Sequence, residues 1–366
     1  MNSSTRIPPL LQPYVKLPRD DSLLLLTSTL GASANWLLIR FLCDALSNNI
    51  QDGGADEGHN VVLVSWLRDY DFWRQEARKG AGLDLERLKR EKRLAFVDGL
   101  TGLFMGEGED AQRPQQSPVR STPSLPSRPQ HSATSVNGTP QRTGNILPVR
   151  GPPVRTIPAR GPPAPSQPTS PATTIVAPPQ PHASSQAPGH FTLTSLDLAH
   201  LKTTLTTAMT SLSTPTTTRK TFLVLDTPDA YLALSSTTPS SFVSLLLQLH
   251  ATPAVSHVLT HLHADTPLIS LSAPAQPLEI NQFNLLTKFA HMSSRILGTR
   301  VLDTGVARDV SGVVRVTEQR SCWQDLGLEE EGGLKEEGAG KGKEFLYQVK
   351  GDGSVRVFER GAGGEG

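Results

Sequence analysis

Short apolar runs that alternate with longer stretches of helical periodicity place the strongest constraint on the fold of this chain. Residues 22–29 (SLLLLTST) and 61–67 (VVLVSWL) are rich in apolar side chains, which is typical of strands buried on both faces. A stretch with helical spacing follows each of them, and the same alternation returns between residues 193 and 297. Alternating strands and helices favour βαβ units. The sequence therefore predicts an α/β fold with a mainly parallel sheet covered by helices on both faces.

The C-terminal part has a different pattern. Short segments of alternating polarity at 299–305, 312–319, 343–350 and 354–360 are joined by the turn signals DVSG and GDGS. We therefore expect antiparallel strands at one edge of the sheet. The acidic, glycine-rich stretch at 326–343 is predicted to be a loose loop.

The interval 106–190 divides the chain. It holds nineteen of the thirty prolines, and beyond Asp110 it has seven arginines, no lysine and no acidic residue. A segment of this composition buries too little apolar surface to offset the entropy cost of ordering it, so we predict that it is disordered. The chain is then one α/β domain split by an insertion, with residues 1–105 and 191–366 as its two halves.

Charge and cysteine content argue against several classes of protein. The net charge of +1 gives no broad field toward nucleic acid or membrane, so an electrostatic partner needs a local patch. Two cysteines cannot form a disulfide framework, and no cysteine or histidine cluster has zinc spacing. The N-terminal sequence lacks the basic segment followed by an apolar segment that is typical of a signal peptide. The apolar runs are too short to span a bilayer. We expect a protein of a reducing, intracellular compartment without a membrane partner.

The stretch from Leu23 to Leu42 has the layout of a phosphate-binding loop: a buried strand, small residues and an apolar helix. In a working loop, G-x-x-x-x-G-K-[ST], backbone amides wrap the phosphates, lysine neutralises charge and the hydroxyl binds magnesium. The four key positions fall here on Ser28, Ser33, Ala34 and Asn35. Only Gly31 remains flexible, and no lysine or arginine precedes Arg40 in the helix. The sequence thus predicts a structural turn, with a residual nucleotide or anion site as the alternative.

Two patterns, one with an aspartate and one with three histidines, could supply ligands to a metal ion. Asp226 ends the strand FLVLD, where P-loop enzymes present a magnesium-coordinating aspartate, although an aspartate that begins a turn explains the pattern equally. His257, His261 and His263 lie on one face of a predicted strand, and the last two could share a metal with Asp265. Imidazoles packed under a helix or at a subunit face are the alternative. No catalytic triad motif or dinucleotide fingerprint is present, and we predict no cofactor.

Basic residues suggest contacts to RNA or to another subunit. The run ERLKREKR contains Arg87, Lys89, Arg90, Lys92 and Arg93. Such a run is either a solvated helix face or a patch that contacts RNA phosphates. Arg308 lies between two late strands, where a subunit of a P-loop-like ring can offer an arginine to its neighbour's site. An ion pair with a nearby aspartate is the alternative for Arg308.

Five long stretches, taken in order, carry a family resemblance: GASANWLLIRFL, VVLVSWLRDYDFWRQEARKGAGLDLERLKREKRLAFVDGL, FLVLDTPDAYLAL, RVLDTGVARDVSGVVRVT and FLYQVKGDGSVRVFERG. Together they resemble fungal members of the Elongator complex protein 6 family. The resemblance covers both predicted folded parts. The proline-rich insertion and the acidic loop near the C-terminus depart from it.

The resemblance implies a RecA-like, P-loop-NTPase-related fold with degenerate nucleotide motifs. It also implies a hetero-hexameric ring with two copies each of Elongator subunits four, five and six, in which this chain is a non-catalytic accessory subunit. The ring binds tRNA and supports the catalytic Elongator subcomplex, which modifies carbon 5 of the wobble uridine, U34. Nucleotide hydrolysis is associated with the ring as a whole, and no catalytic residue carries over to this chain.

Two other functions remain alternatives at this point. One is a divergent P-loop-related ATPase that acts alone, with a loop around Gly31 and Asp226 on the metal. The other is a signalling adaptor whose proline-rich insertion recruits SH3-type or WW-type domains. The RGPP repeats at Arg150 and Arg160 lack a firm P-x-x-P context, so this last hypothesis ranks third.

Overall fold

The computed structural model describes residues 7–47, 58–104, 188–214, 219–305, 307, 309–319 and 342–360. The strands are β1 (Ser22–Ser28), β2 (Asn60–Ser65), β3 (Leu94–Asp98), β4 (His190–Thr192), β5 (Thr221–Asp226), β6 (Val255–His263), β7 (Arg295–Arg300), β8 (Gly312–Glu318), β9 (Lys343–Val349) and β10 (Val355–Glu359). The helices are α1 (Gln12–Val15), α2 (Asn35–Leu46), α3 (Tyr70–Ala81), α4 (Leu85–Arg90), α5 (Thr101–Phe104), α6 (Leu198–Leu212), α7 (Pro228–Leu234), α8 (Pro239–His250), α9 (Thr266–Ile269) and α10 (Pro277–Met292).

Within the described residues, all ten strands belong to one sheet, in the order β10-β9-β8-β7-β1-β6-β5-β2-β3-β4. Strands β1 to β7 pair in parallel, whereas β8, β9 and β10 continue the sheet antiparallel at one edge. This confirms the predicted α/β fold with a mainly parallel sheet and an antiparallel C-terminal edge. The arrangement is consistent with a RecA-like fold. Strands from both sides of residues 105–187 lie in this sheet and in one compact unit.

The core lies on both faces of the sheet. In β1, Leu24 and Leu26 point to one face while Leu23 and Leu25 point to the other, because side chains alternate along a strand. Helices α1 to α4 cover the first face, and α6, α7, α8 and α10 cover the second. A strand buried on both faces must be apolar throughout, which explains the leucine-rich run in the sequence.

Capping residues fix the ends of the covering helices. Helix α3 begins where the Asp69 side chain accepts a hydrogen bond from the Phe72 amide (2.8 Å), and it ends at Gly82, whose φ is +60°. Helix α8 begins at Thr238, whose hydroxyl accepts from the Ser241 amide. These caps fix where the chain enters the helices that follow β2 and β5.

One predicted boundary is wrong. Helical spacing predicts one helix over residues 279–297, but α10 ends at Met292 and Arg295–Arg300 form β7 instead. Residues 295–299 pair in parallel with β1, and Leu297 is fully buried there. Pairing with a distant strand outweighs the local helical spacing. The strand predicted at 299–305 overlaps only the end of β7.

Several predictions lie outside the described residues. The insertion predicted at 106–190 is described only at its end, where His190 begins β4 beside β3. Of the loop predicted at 326–343, only Gly342 and Lys343 are described, and Lys343 begins β9. Arg308 also lies outside the described residues.

Candidate functional site

Polar side chains occupy the carboxyl ends of the central parallel strands. Ser28, Ser65, Asp98 and Asp226 are the last residues of β1, β2, β3 and β5. In the strand register, Ser65 faces Asp226 on one side and Asp98 on the other. Ligands of open parallel sheets bind outside these carboxyl ends. This edge is therefore the first place to examine for chemistry.

Asp226 is the centre of a buried hydrogen-bond network. Its Oδ1 accepts from Nδ1 of His261 at 2.8 Å, and its Oδ2 accepts from the hydroxyl of Ser65 at 2.8 Å. Nη1 of Arg68 donates to both carboxylate oxygens, at 3.1 and 3.0 Å. The side chain is fully buried. Four donor contacts therefore satisfy this carboxylate from within the chain.

The electrostatics of Asp226 follow from these contacts. Burial alone raises the pKa of a carboxyl group, because a charge loses its hydration. The hydrogen bond and charge of His261, the charge of Arg68 and the hydrogen bond from Ser65 outweigh burial, so the pKa of Asp226 lies below its ordinary value. The carboxylate is therefore ionised and neutralised locally. Both of its oxygens are engaged, so it is not presented to a magnesium ion in this arrangement.

Ser28 extends the network to β1. Its hydroxyl oxygen lies 2.9 Å from Nε2 of His261, while Nδ1 of the same ring donates to Asp226. This connectivity is that of a serine nucleophile, a base and an orienting acid. Ser28 is only 4% exposed and His261 1% exposed, however, so the hydroxyl does not face solvent.

The turn after β1 is closed by contacts within the chain. The amide of Ala32 donates to the carbonyl of Thr29 at 2.9 Å, and Gly31 adopts a φ of +85° to complete the reversal. The Leu30 amide donates to Oδ1 of Asp265 at 2.6 Å. The Thr29 amide donates to a backbone carbonyl of β7 at 3.1 Å. These amides are thus unavailable as a phosphate cradle or as an oxyanion hole beside Ser28.

Ser33 takes no part in the buried network. Its hydroxyl accepts a hydrogen bond from the Asn35 amide at 3.3 Å, at the start of α2. The structure therefore brings Ser28 and Asp226 together through His261, and it places Gly31 and Ser33 in the turn outside that network.

The histidines of β6 do not converge on a metal. His261 contacts Asp226, whereas Nδ1 of His263 lies 2.8 Å from Oδ2 of Asp229. Asp265 instead accepts a hydrogen bond from the Leu30 amide, so it does not join either histidine. The part of the chain that the structure describes contains no group of three metal-ligating side chains. The alternative interpretation, imidazoles packed inside the protein, describes His257 and His261, which are 2% and 1% exposed.

The His263–Asp229 pair predicts a pH dependence of stability. The hydrogen bond that His263 donates to Asp229 raises the pKa of His263 above its ordinary 6.5, against the opposing effect of burial. The charges of Asp229 and Asp265 raise it further, and that of Arg68 lowers it. The stabilisation is therefore complete below about pH 6.5 and is lost as pH rises through the higher folded-state pKa.

We expect His263→Gln to lower the free energy of unfolding more at about pH 6 than at about pH 9, as measured by urea denaturation across that range. His291→Gln, at an exposed position of α10, is the matched control for loss of an imidazole outside the His263–Asp229 pair. A cost of His263→Gln that stays constant with pH would contradict the assignment.

The basic run splits between surface and interior. Arg87 and Arg90 are exposed on α4. Lys89 is buried, with its Nζ 4.1 Å from the ring centroid of Tyr70, and Arg93 is buried as well. Lys89 therefore packs as an aliphatic stem with a cation–π contact instead of facing a partner. Only part of the predicted patch remains for a phosphate.

Exposed apolar side chains surround the carboxyl edge. Leu30 follows β1 and is 85% exposed, Leu67 follows β2 and is 50% exposed, and Val301 follows β7 and is 46% exposed. Phe104 ends α5, after β3, and is 68% exposed. A cleft of about 340 Å³ lies at the carboxyl ends of β2 and β3, and Leu67, Arg68, Phe72, Asp98 and Thr101 are among its lining residues. An edge with this many exposed apolar side chains is typical of a contact surface between proteins.

Comparison with known proteins adds little. No protein-family model matches the chain, and no curated protein matches it. Among solved structures, an uncharacterized protein from Pyrococcus horikoshii in complex with an unknown peptide is similar at a TM-score of 0.45 and 10% identity. That alignment covers 97% of this chain and 98% of the other. We draw no conclusion from a likeness this low. In the described residues, no helix combines the length and apolarity needed to cross a membrane.

Proposed function

We propose that this chain is a non-catalytic accessory subunit of the Elongator complex. In this proposal it forms a hetero-hexameric ring of RecA-like subunits with Elongator subunits four and five. The ring binds tRNA and supports modification of the wobble uridine by the catalytic Elongator subcomplex. The chain itself needs no cofactor, and its place of action is the cytoplasm, with the nucleus as a second location.

One observation supports a non-catalytic role. The chain's own side chains already bind the backbone amide and the carboxylate that a nucleotide and its magnesium ion would need. Asp265 holds the Leu30 amide in the turn after β1, and His261, Arg68 and Ser65 hold Asp226. A phosphate approaching this edge would meet carboxylates in place of the lysine of a working loop. The same contacts argue against the ATPase alternative, because that alternative requires Asp226 on a metal.

The exposed apolar side chains at the carboxyl edge support the ring. Leu30, Leu67, Phe104 and Val301 stand where a nucleotide would bind in a related enzyme, and burying them against a neighbour would be favourable. A subunit that keeps the layout of a nucleotide site without its chemistry can use that edge for assembly. This is the role we assign to the edge. No described contact favours the adaptor hypothesis.

Two measurements on purified protein test the proposal. The chain alone should neither bind ATP in calorimetry nor hydrolyse it, with or without magnesium. Co-expression with Elongator subunits four and five should give a stable hexamer by mass measurement, and Leu30→Asp with Phe104→Asp should weaken that assembly without unfolding the chain. ATP turnover by the isolated chain that Asp226→Ala abolishes would establish the ATPase alternative. A chain that stays monomeric with both subunits present would refute the ring.

A further inference from the structure

The opposite, amino-terminal edge of the sheet holds a second cavity. Its volume is about 490 Å³, and its lining includes Lys16, Arg19, Asp21, Asp44, His59, Lys220 and His257. These residues precede or begin β1, β2, β5 and β6, or end α2. Chain segments distant in sequence thus meet here because the strands start at the same edge.

The rim of this cavity carries the cations Lys16, Arg19 and Lys220 beside the carboxylates of Asp21 and Asp44. Lys16 and Arg19 are exposed, and neither forms an ion pair with another described residue. Lys220 pairs with Asp21 at 2.7 Å, so these two charges offset each other. Asp44 is half-buried, and its Oδ2 accepts from the Leu17 amide at 3.0 Å. Lys16 and Arg19 are therefore the charges that remain available to an incoming anion.

The imidazole of His257, at the floor of the cavity, is uncharged near pH 7. Burial and the neighbouring His59 lower the pKa of His257 to about 4. The His59 and His257 rings meet edge to face, with centroids 5.5 Å apart. The positive charge is therefore at the rim, where a solvated phosphate can reach it without being stripped of water.

The basic run of α4 adjoins this cavity. Nη2 of Arg93 donates to the carbonyl of His59 at 3.2 Å, and His59 lines the cavity. Burial lowers the pKa of Arg93, and the charges of Arg219 and Arg87 lower it further while that of Glu91 opposes them. Arg90 and Lys92, both exposed, lie just before β3 at this same edge. The rim and the basic run therefore form one surface.

The two edges of the sheet differ in electrostatic character. The carboxyl edge carries Asp69, Asp98 and Asp265 at or after the strand ends, besides Asp226 and Asp229, which pair with cationic or imidazole side chains. The amino-terminal edge holds the cations described above together with Asp20, Asp21 and Asp44, and of its cations Lys16 and Arg19 form no ion pair with another described residue. In a nucleotide-binding α/β protein, the anion binds at the carboxyl edge. Here the described charges instead favour an anion at the other edge.

We infer that the amino-terminal edge, with Lys16 and Arg19 at its centre and Arg90 and Lys92 at its flank, is a docking surface for the phosphate backbone of RNA. We call it the basic edge. The inference deepens the proposed function, because it rests on tRNA as the partner and assigns the surface of this subunit that holds it. The cavity is large enough for a phosphate and its sugar, and the spread of cations beyond it suits a chain of phosphates more than a single free anion.

The test compares two charge reversals of equal size. Lys16→Glu with Arg19→Glu alters the basic edge, whereas Lys288→Glu with Arg356→Glu changes exposed cations in α10 and β10, outside the cavity. Binding of fluorescent tRNA is measured by anisotropy, both for the full-length chain alone and for the co-expressed ring. Each variant is first checked for an unchanged melting temperature.

The basic-edge variant should raise the Kd for tRNA about tenfold at about 0.1 M salt. It should also reduce the slope of log K against log salt by about two, one for each phosphate that is no longer neutralised. The control variant should change the Kd less than about twofold. A conservative variant, Lys16→Arg with Arg19→Lys, should bind tRNA as the wild type does, because it exchanges the two cations without removing a charge.

Three outcomes would overturn the inference. The first is an equal weakening of tRNA binding in both charge-reversed variants, which would show a dependence on net charge alone. The second is unchanged tRNA binding by the basic-edge variant. The third is binding to vesicles of anionic phospholipid as strong as binding to tRNA.

Assembly with subunits four and five is scored separately by mass, so that the two proposals can fail independently. A ring that forms but binds tRNA equally well with or without the basic-edge substitutions contradicts this inference and leaves the proposed function standing. If no ring assembles but the basic-edge substitutions still weaken tRNA binding by the isolated chain, the proposed function is contradicted and this inference stands.

Discussion

Replacing Asp226 by alanine is expected to lower the free energy of unfolding by about 3–5 kcal/mol, the usual cost of removing one partner of a buried ion pair. The substitution leaves the partly buried cation of Arg68 and the buried N–H of His261 without their acceptor. Ser65 also loses its partner. Urea denaturation of the two proteins measures the difference directly.

Two further variants separate the sources of that cost. Asp226→Asn keeps the shape and removes the charge, so the part of the loss that it reproduces is electrostatic. Ser65→Ala removes one neutral donor to the same carboxylate and should cost about 1 kcal/mol. If Asp226 instead served a bound magnesium ion, millimolar magnesium would stabilise the wild type and leave Asp226→Asn unaffected. That result would contradict the buried network around Asp226.

The pH dependence of Asp226 has a definite sign. Because its folded-state pKa lies below its ordinary value of 3.8, the network stabilises the protein above that pH. The contribution is lost as pH falls through the folded-state pKa. The difference between wild type and Asp226→Asn should therefore be flat from about pH 5 to 7 and shrink in stronger acid.

Replacing Gly99 by alanine is expected to cost about 3 kcal/mol, at the upper end of the usual range for overpacking a core. A β-carbon at this position would lie 2.5 Å from Cδ1 and 2.7 Å from Nε1 of Trp66, well inside contact distance. Trp66 is 1% exposed and packs against Tyr231, so its ring has little room to move. Its amide also donates to the carbonyl of Asp226 at 3.2 Å, which couples the strain to the buried network.

A matched control exists for this substitution. Gly351 has no atom within 4 Å of its added β-carbon and no positive φ, so Gly351→Ala should change stability by less than about 0.5 kcal/mol. Thermal melting and tryptophan fluorescence report on both variants. A Gly99→Ala protein as stable as wild type would show that the Trp66 ring has room to move aside.

The sequence predicted the layered architecture because the leucine-rich and valine-rich runs are local signals of strands buried on both faces. It did not predict β7, because the stretch around Ile296 continues the helical spacing of α10 and becomes a strand only through pairing with β1. The short strand β4, at His190–Thr192, also has no strong local pattern and depends on its neighbour β3.

The buried network was only partly predictable, for the same reason. Asp226 and His261 each stood out as single residues, but their contact depends on β5 and β6 being neighbours in the sheet. Ser65 and Arg68 were not predicted as site residues, although Ser65 lies near the end of the predicted strand 61–67 and Arg68 follows it directly. Lys89 could have been recognised as buried, because it lies four residues after Leu85, on the apolar face of α4.

The position of β1 in the sheet has a consequence for how the chain reaches its native state. β1 pairs only with β6 and β7, and 233 residues separate Ser28 from His261. During synthesis, this leucine-rich strand therefore emerges long before either partner exists, with both of its edges open to incorrect pairing. Contacts of such long range make folding slow and expose intermediates to aggregation. We expect nascent chains that end before β6 to be retained by chaperones, and productive folding to begin only when translation has passed residue 300.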